Sequence, residues 1–197
     1  MINIFPYGDS KTQGVTDDDP EYAALGWGYV WRLLEILTAA TGEEHVELPL
    51  RVGRGGTPIS GFQSTVDADL ATRSDVPKYI LVNIGTGDKS LTIDYTTVSN
   101  YGYVLDAFHT KWPNAIVYCA RPWQDTSRAS MAKWNEIANA IEAAVKPRPW
   151  AKLGIDERIF LEYGDNGNTF TSVGHPNHFG YMLTADEWAS ALLGRPN

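Results

Sequence analysis

Tyr79 to Ile84, read YILVNI, is a nearly continuous apolar run. Strands with one solvated face alternate apolar and polar residues. An unbroken run is expected of a central parallel strand covered on both sides. This run ends in Gly85-Thr86-Gly87-Asp88, and shorter runs recur along the chain at Ile2–Phe5, His45–Val52, Ala115–Ala120 and Arg158–Tyr163. Between them lie segments with helical spacing. Trp27–Thr41 carries Val30, Leu33, Leu34 and Leu37, and Gly42 follows its end. A second segment carries Phe62, Val66 and Leu70, and a third, Asp94–Trp112, carries Val98, Tyr101, Leu105 and Phe108. Ser127–Val145 shows the clearest stripe, Met131, Trp134, Ala138, Ile141 and Val145. In Thr184–Leu193 the pair Thr184 and Glu187 fits a capping box, with Gly194 just beyond. Pro6-Tyr7-Gly8 is expected to break the first strand, and Thr12–Gly26 reads as an acidic loop. The alternation predicts a three-layer α/β/α sandwich with about five parallel strands and right-handed crossovers. No repeat or linker divides the 197 residues, so one domain over residues 1–197 is expected.

Sixteen basic against 24 acidic residues give a net charge of −8. That balance argues against nucleic acid, which is bound mainly by lysine and arginine on phosphates, and against anionic membrane surfaces. Asp17-Asp18-Asp19 reads as a solvated loop. The single cysteine, Cys119, lies in an apolar run and reads as a core residue. No apolar run is long enough to span a membrane. The N-terminus lacks a basic-then-apolar leader, so a complete chain is expected to be cytoplasmic by default. A mature form whose leader had been removed would read the same.

An apolar strand followed by Gly8-Asp9-Ser10 delivers Ser10 to the carboxyl edge of the sheet, where open α/β sheets bind ligands. A serine there is a candidate nucleophile if a base can reach it; a solvated turn is the alternative. His45 and His109 lie within expected regular elements. His175 and His178 lie in the turn before the last helix, on the same edge, and Pro176 restrains the backbone of His175. His175 is thus the candidate general base. The competing arrangement is a metal pair, His175 and His178 with Asp165 or Asp186, but an i, i+3 spacing across a proline turn fits ligation poorly. Three glycine turns, at Gly8, Gly53–Gly56 and Gly85–Gly87, share the edge and bring backbone N–H groups where an oxyanion needs them. Ordinary strand-to-helix turns also favour glycine. No phosphate-loop string is present.

GDSKTQG near the N-terminus and HPNHFGY near the C-terminus together resemble the first and last blocks of the SGNH, or GDSL, hydrolase superfamily. The resemblance implies a flavodoxin-like five-stranded parallel sheet in the order 2-1-3-4-5. It implies Ser10 as nucleophile and His175 as base. The oxyanion donors would be the N–H groups of Ser10 and Gly56, with Gly53 as fallback. Two positions depart from the family pattern. Gly87 stands where the family has the oxyanion asparagine, so a backbone N–H or a water is expected in its place. Ser172 stands where the family has the aspartate that orients the histidine. A Ser10–His175 dyad is the preferred reading, with Asp165 as a displaced orienting acid next. Decay into a carbohydrate- or ligand-binding protein is the alternative. The activity implied is hydrolysis of small acyl esters, acetyl above all, those on carbohydrates included, with no metal or organic cofactor; an acyltransferase would use the same residues. Asp9 and Asp88 are expected to brace loops. Tyr7, Trp27 and Trp123 are candidates for a wall at the edge, with core packing as the alternative. Arg54 and Arg121 are candidates for meeting an anionic substrate. The oligomeric state is not legible.

Overall fold

The computed structural model describes residues 1–14, 28–47, 52–123, 128–158 and 175–195. β1 (Ile2–Gly8) is the hub of the sheet. On one flank it pairs in parallel with β2 (His45–Glu47) and β3 (Val52–Gly53), and on the other with β4 (Tyr79–Asn83). β4 pairs with β5 (Ile116–Arg121), which pairs with β6 (Ala151–Asp156). β2 and β3 fall at the two ends of the expected strand His45–Val52, of which residues 48–51 lie outside the described residues. With these two as one flank, the order is the expected 2-1-3-4-5.

Alternate residues of the strands feed two cores. Phe5 and Tyr7 of β1, Ile80 and Val82 of β4, and Val117 and Cys119 of β5 face one side. There they meet α3 (Ile59–Ala71), α4 (Tyr95–Lys111) and α5 (Met131–Val145). Ile4, Leu81, Tyr118 and Ala120 face the other side and meet α2 (Gly28–Thr41) and α6 (His178–Leu193). A short α1 (Ser10–Gln13) follows β1 directly. Both faces of β4 are therefore covered, which is why its sequence reads as an apolar run.

Three local expectations are corrected and one strand is added. Pro6 does not break β1: the strand continues to Gly8, with Pro6 in register with Leu81. On the other flank the described pairing joins Ile2–Ile4 to His45–Glu47 and Tyr7–Gly8 to Val52–Gly53. Even-numbered residues of β1 face that flank, since Ile2 N–H donates to Glu44 and the Gly8 carbonyl accepts from Arg54. The N–H that Pro6 lacks points to that flank, so the ladder between β1 and β4 loses no bond. Thr12 and Gln13 belong to α1 and not to a loop. The pattern also missed the strand Ala151–Asp156; Arg158 sits in the turn after it, and the rest of the expected strand Arg158–Tyr163 lies outside the described residues. α6 starts at His178, six residues before Thr184, and Asn177 caps it by accepting from Gly180 N–H at 2.9 Å. Thr184 is buried inside the helix, donating to the Gly180 carbonyl. Gly194 closes the helix in the left-handed conformation, as expected.

Candidate active site

β1 ends at Gly8 because nothing larger fits. A Cβ there would lie 2.2 Å from Thr12 Oγ1 and 2.5 Å from the Asn83 carbonyl oxygen. The chain can therefore turn at once into α1. Asp9 caps that helix, accepting from Lys11 N–H at 3.0 Å. Its other carboxylate oxygen accepts from the Thr86 hydroxyl. Ser10 is the first helical residue, so its N–H has no partner within the helix.

His175 reaches the same place from the other end of the chain. It lies two residues before the Asn177 cap of α6. α6 is seated by Trp188, which stacks on Tyr29 of α2 and lies over Gly154 of β6. His175 Nε2 lies 2.9 Å from Ser10 Oγ. The two residues stand 165 positions apart in the chain. Ser10 is buried and His175 half-buried. Burial lowers the His175 pKa below its ordinary 6.5. Asp9 pulls it up, while Lys11, Arg128 and Lys89 push it further down. A neutral imidazole at hydrogen-bond distance from a hydroxyl can accept its proton. The Nδ1 of His175 is buried and has no hydrogen-bond partner among the described residues. Asp165 and Ser172 lie outside the described residues.

The glycine turns border the pair. Gly55 comes closest, since a Cβ on it would lie 3.5 Å from Ser10 Cβ. Gly55 was not singled out by the sequence pattern; its neighbour Gly56, the expected donor, has φ 70° and open space around it. Gly53 is a strand residue paired with Gly8 and packed against Gln13. Gly87 lies in a helical turn, Thr86–Asp88. A Cβ on it would stand 2.4 Å from the Thr57 carbonyl oxygen, so a side chain at this position must displace the Thr57–Pro58 backbone. Asp88 accepts from Ile59 N–H at 2.9 Å, tying this turn to the start of α3. Its burial raises the carboxyl pKa to about 6. Asp9 and Asp88 brace loops, as expected.

Several edge candidates do other work. Tyr7 and Trp123 are fully buried and form no exposed wall; Tyr7 donates to Asp69 at 3.0 Å and Trp123 packs on Trp134. Trp27 lies outside the described residues. Arg54 is held by Asp69, and Arg121 by Glu142 and Asp156, so neither is free for an anion. Burial pushes the Cys119 thiol up to about 12, in keeping with a core residue. His45 is bound through Nδ1 to the Glu43 carbonyl, and His109 stacks on Trp150.

No family model matches the sequence, and no curated protein does. Solved structures do. A serine-to-alanine mutant of an acetyl esterase with an acetate ion superposes with a TM-score of 0.73 at 17% identity, over 98% of this chain and 97% of that one. A family 3 carbohydrate esterase from Clostridium thermocellum gives 0.73 at 22% identity, over 98% and 96%. A lipolytic G-D-S-L family member from Veillonella parvula DSM 2008 gives 0.69 at 22%, over 95% and 96%. The chain therefore shares its α/β/α fold with these solved esterases and with the G-D-S-L lipolytic protein.

Proposed function

We propose that the chain is a serine ester hydrolase acting on small acyl esters through Ser10 and His175. The 2.9 Å contact between Ser10 Oγ and His175 Nε2 carries this proposal. Ser10 Oγ attacks the ester carbonyl carbon as His175 Nε2 takes the hydroxyl proton. The carbonyl oxygen becomes an oxyanion, received by backbone N–H groups of Ser10, the Gly55–Gly56 turn and Gly87. As the tetrahedral species collapses, the alcohol departs with the proton from His175 and leaves an acyl-Ser10. Water, deprotonated by His175, then releases the acid. The chemistry calls for no metal or organic cofactor.

The crowding at Gly87 supports a backbone donor there, because the space that an asparagine side chain would need is taken by Thr57. The unpartnered Nδ1 supports a Ser10–His175 dyad, with Asp165 as the orienting acid if one serves. Acetyl groups, including those on carbohydrates, are the proposed substrates. The fold neighbours that are an acetyl esterase and a carbohydrate esterase support that choice.

A fluorophosphonate probe and a panel of p-nitrophenyl esters from acetate to decanoate test the proposal on wild type and Ser10→Ala. Labelling and acetate-favouring turnover, both lost in Ser10→Ala, are expected. A wild type that binds acetylated sugars without labelling or turnover is a binding protein on this fold.

A further inference from the structure

Among the described residues, Lys11 and Glu157 form the one ion pair in which both side chains are almost fully enclosed, 1% and 0% exposed. Lys11 is the residue after Ser10, and its side chain turns inward under α1. Its ammonium donates to the Glu157 carboxylate and, at 3.3 Å, to the Trp123 carbonyl. Glu157 follows β6 directly. It also accepts from the Asn83 side chain at 2.8 Å and from Trp123 N–H at 2.9 Å. Asn83 ends β4, and its carbonyl accepts from Asp9 N–H at 3.0 Å. Ser10 thus sits between two residues, each tied to the strand ends: Asp9 through the Asn83 backbone, Lys11 through Glu157 to the Asn83 side chain and the segment after β5.

A buried ion pair is weak as a stabilising device, because desolvation offsets its attraction and an apolar pair of similar volume often does as well. What such a pair does supply is a single register. A carboxylate filled by three donors accepts the ammonium in one place, whereas an apolar side chain at position 11 could settle at several heights. We propose that Lys11 and Glu157 are positioning residues for the nucleophile, holding the first turn of α1 at the height where Ser10 Oγ meets His175 Nε2. This role rests on the esterase function proposed above.

The test uses Glu157→Gln and the double variant K11M/E157Q, which buries no unpaired charge and therefore folds even if the single variant does not. In the double variant the amide oxygen introduced at position 157 can still serve Asn83 or Trp123. A misplaced nucleophile loses rate, not affinity. For p-nitrophenyl acetate, kcat is expected to fall about 10²-fold with KM little changed. Fluorophosphonate labelling is expected to slow by the same factor, while the melting curve stays cooperative. A second readout comes from the pH profile of K11M/E157Q. The charged groups acting on His175 are Asp9, Lys11, Arg128 and Lys89, and removing the Lys11 charge moves the acid limb of kcat/KM to higher pH. A folded K11M/E157Q that labels and turns over like wild type overturns the positioning role and leaves the esterase function standing. A wild type with no Ser10-dependent labelling or turnover overturns the esterase function, and the positioning role falls with it.

Discussion

The two halves of the candidate site are held in opposite ways. On the serine side every neighbour is tethered: Asp9 to Thr86 and Asn83, Lys11 to Glu157, Gly8 wedged against Thr12. On the histidine side the ring nitrogen that faces away from Ser10 has no hydrogen-bond partner among the described residues, and the residue is placed by the packing of α6 through Trp188. Among the described residues, a buried polar network holds the nucleophile and apolar packing of the helix behind it holds the base. A buried hydrogen-bonded network holds the groups it joins in one arrangement.

The sharpest way to break this contrast is to remove each member in turn. Ser10→Ala and His175→Ala should each lower kcat for p-nitrophenyl acetate by about 10⁴-fold or more, to similar floors, because members of one catalytic unit are not additive; a His175→Ala enzyme close to wild type would end the pairing. Gly87→Asn comes next. Its Cβ must push the Thr57 carbonyl aside, so about 10²-fold in turnover and about 2 kcal/mol of stability should be lost. A gain in turnover would instead mean that an oxyanion donor is missing from the serine side.

The pH profile separates the two sides by sign. The His175 pKa is lowered, so the acid limb of kcat/KM should have its midpoint below 6.5. Asp88 is shifted the other way, from 3.8 to about 6. Its contribution to stability is complete below 3.8 and is lost as the pH rises through about 6. Asp88→Asn keeps an oxygen for Ile59 N–H, and should therefore gain melting temperature relative to wild type as the pH rises across that window. The smallest expected effect is Asp165→Ala, at most about threefold in kcat if the histidine works without a carboxylate, against about 10⁴ for loss of a triad aspartate. A loss on that larger scale would show the histidine side to be tethered after all.

The strands and helices that show one period throughout were legible from the chain alone. β4 reads as an apolar run because both its faces are covered, and α5 as a stripe because one face is. β6 was missed because, among the described residues, it pairs with β5 alone and exposes Lys152 and Leu153, so its apolar pattern is weak. Ser10 and His175 were legible through their flanking glycine and proline turns, which are local signals. Lys11 and Glu157 were not. A lysine in a GDSKTQG string looks solvated, and its partner lies 146 residues away.

Residue order therefore determined the layers and the two ends of the chain that carry the candidate chemistry, since periodicity and turn residues act over a few positions; the sheet order was implied only by the family resemblance of those two ends. Only the folded chain decided that Ser10 and His175 touch, that Gly87 has no room for a side chain, and that Tyr7, Trp123 and Lys11 are enclosed. Burial and hydrogen bonding depend on which distant segments close over a residue, and no local pattern records that.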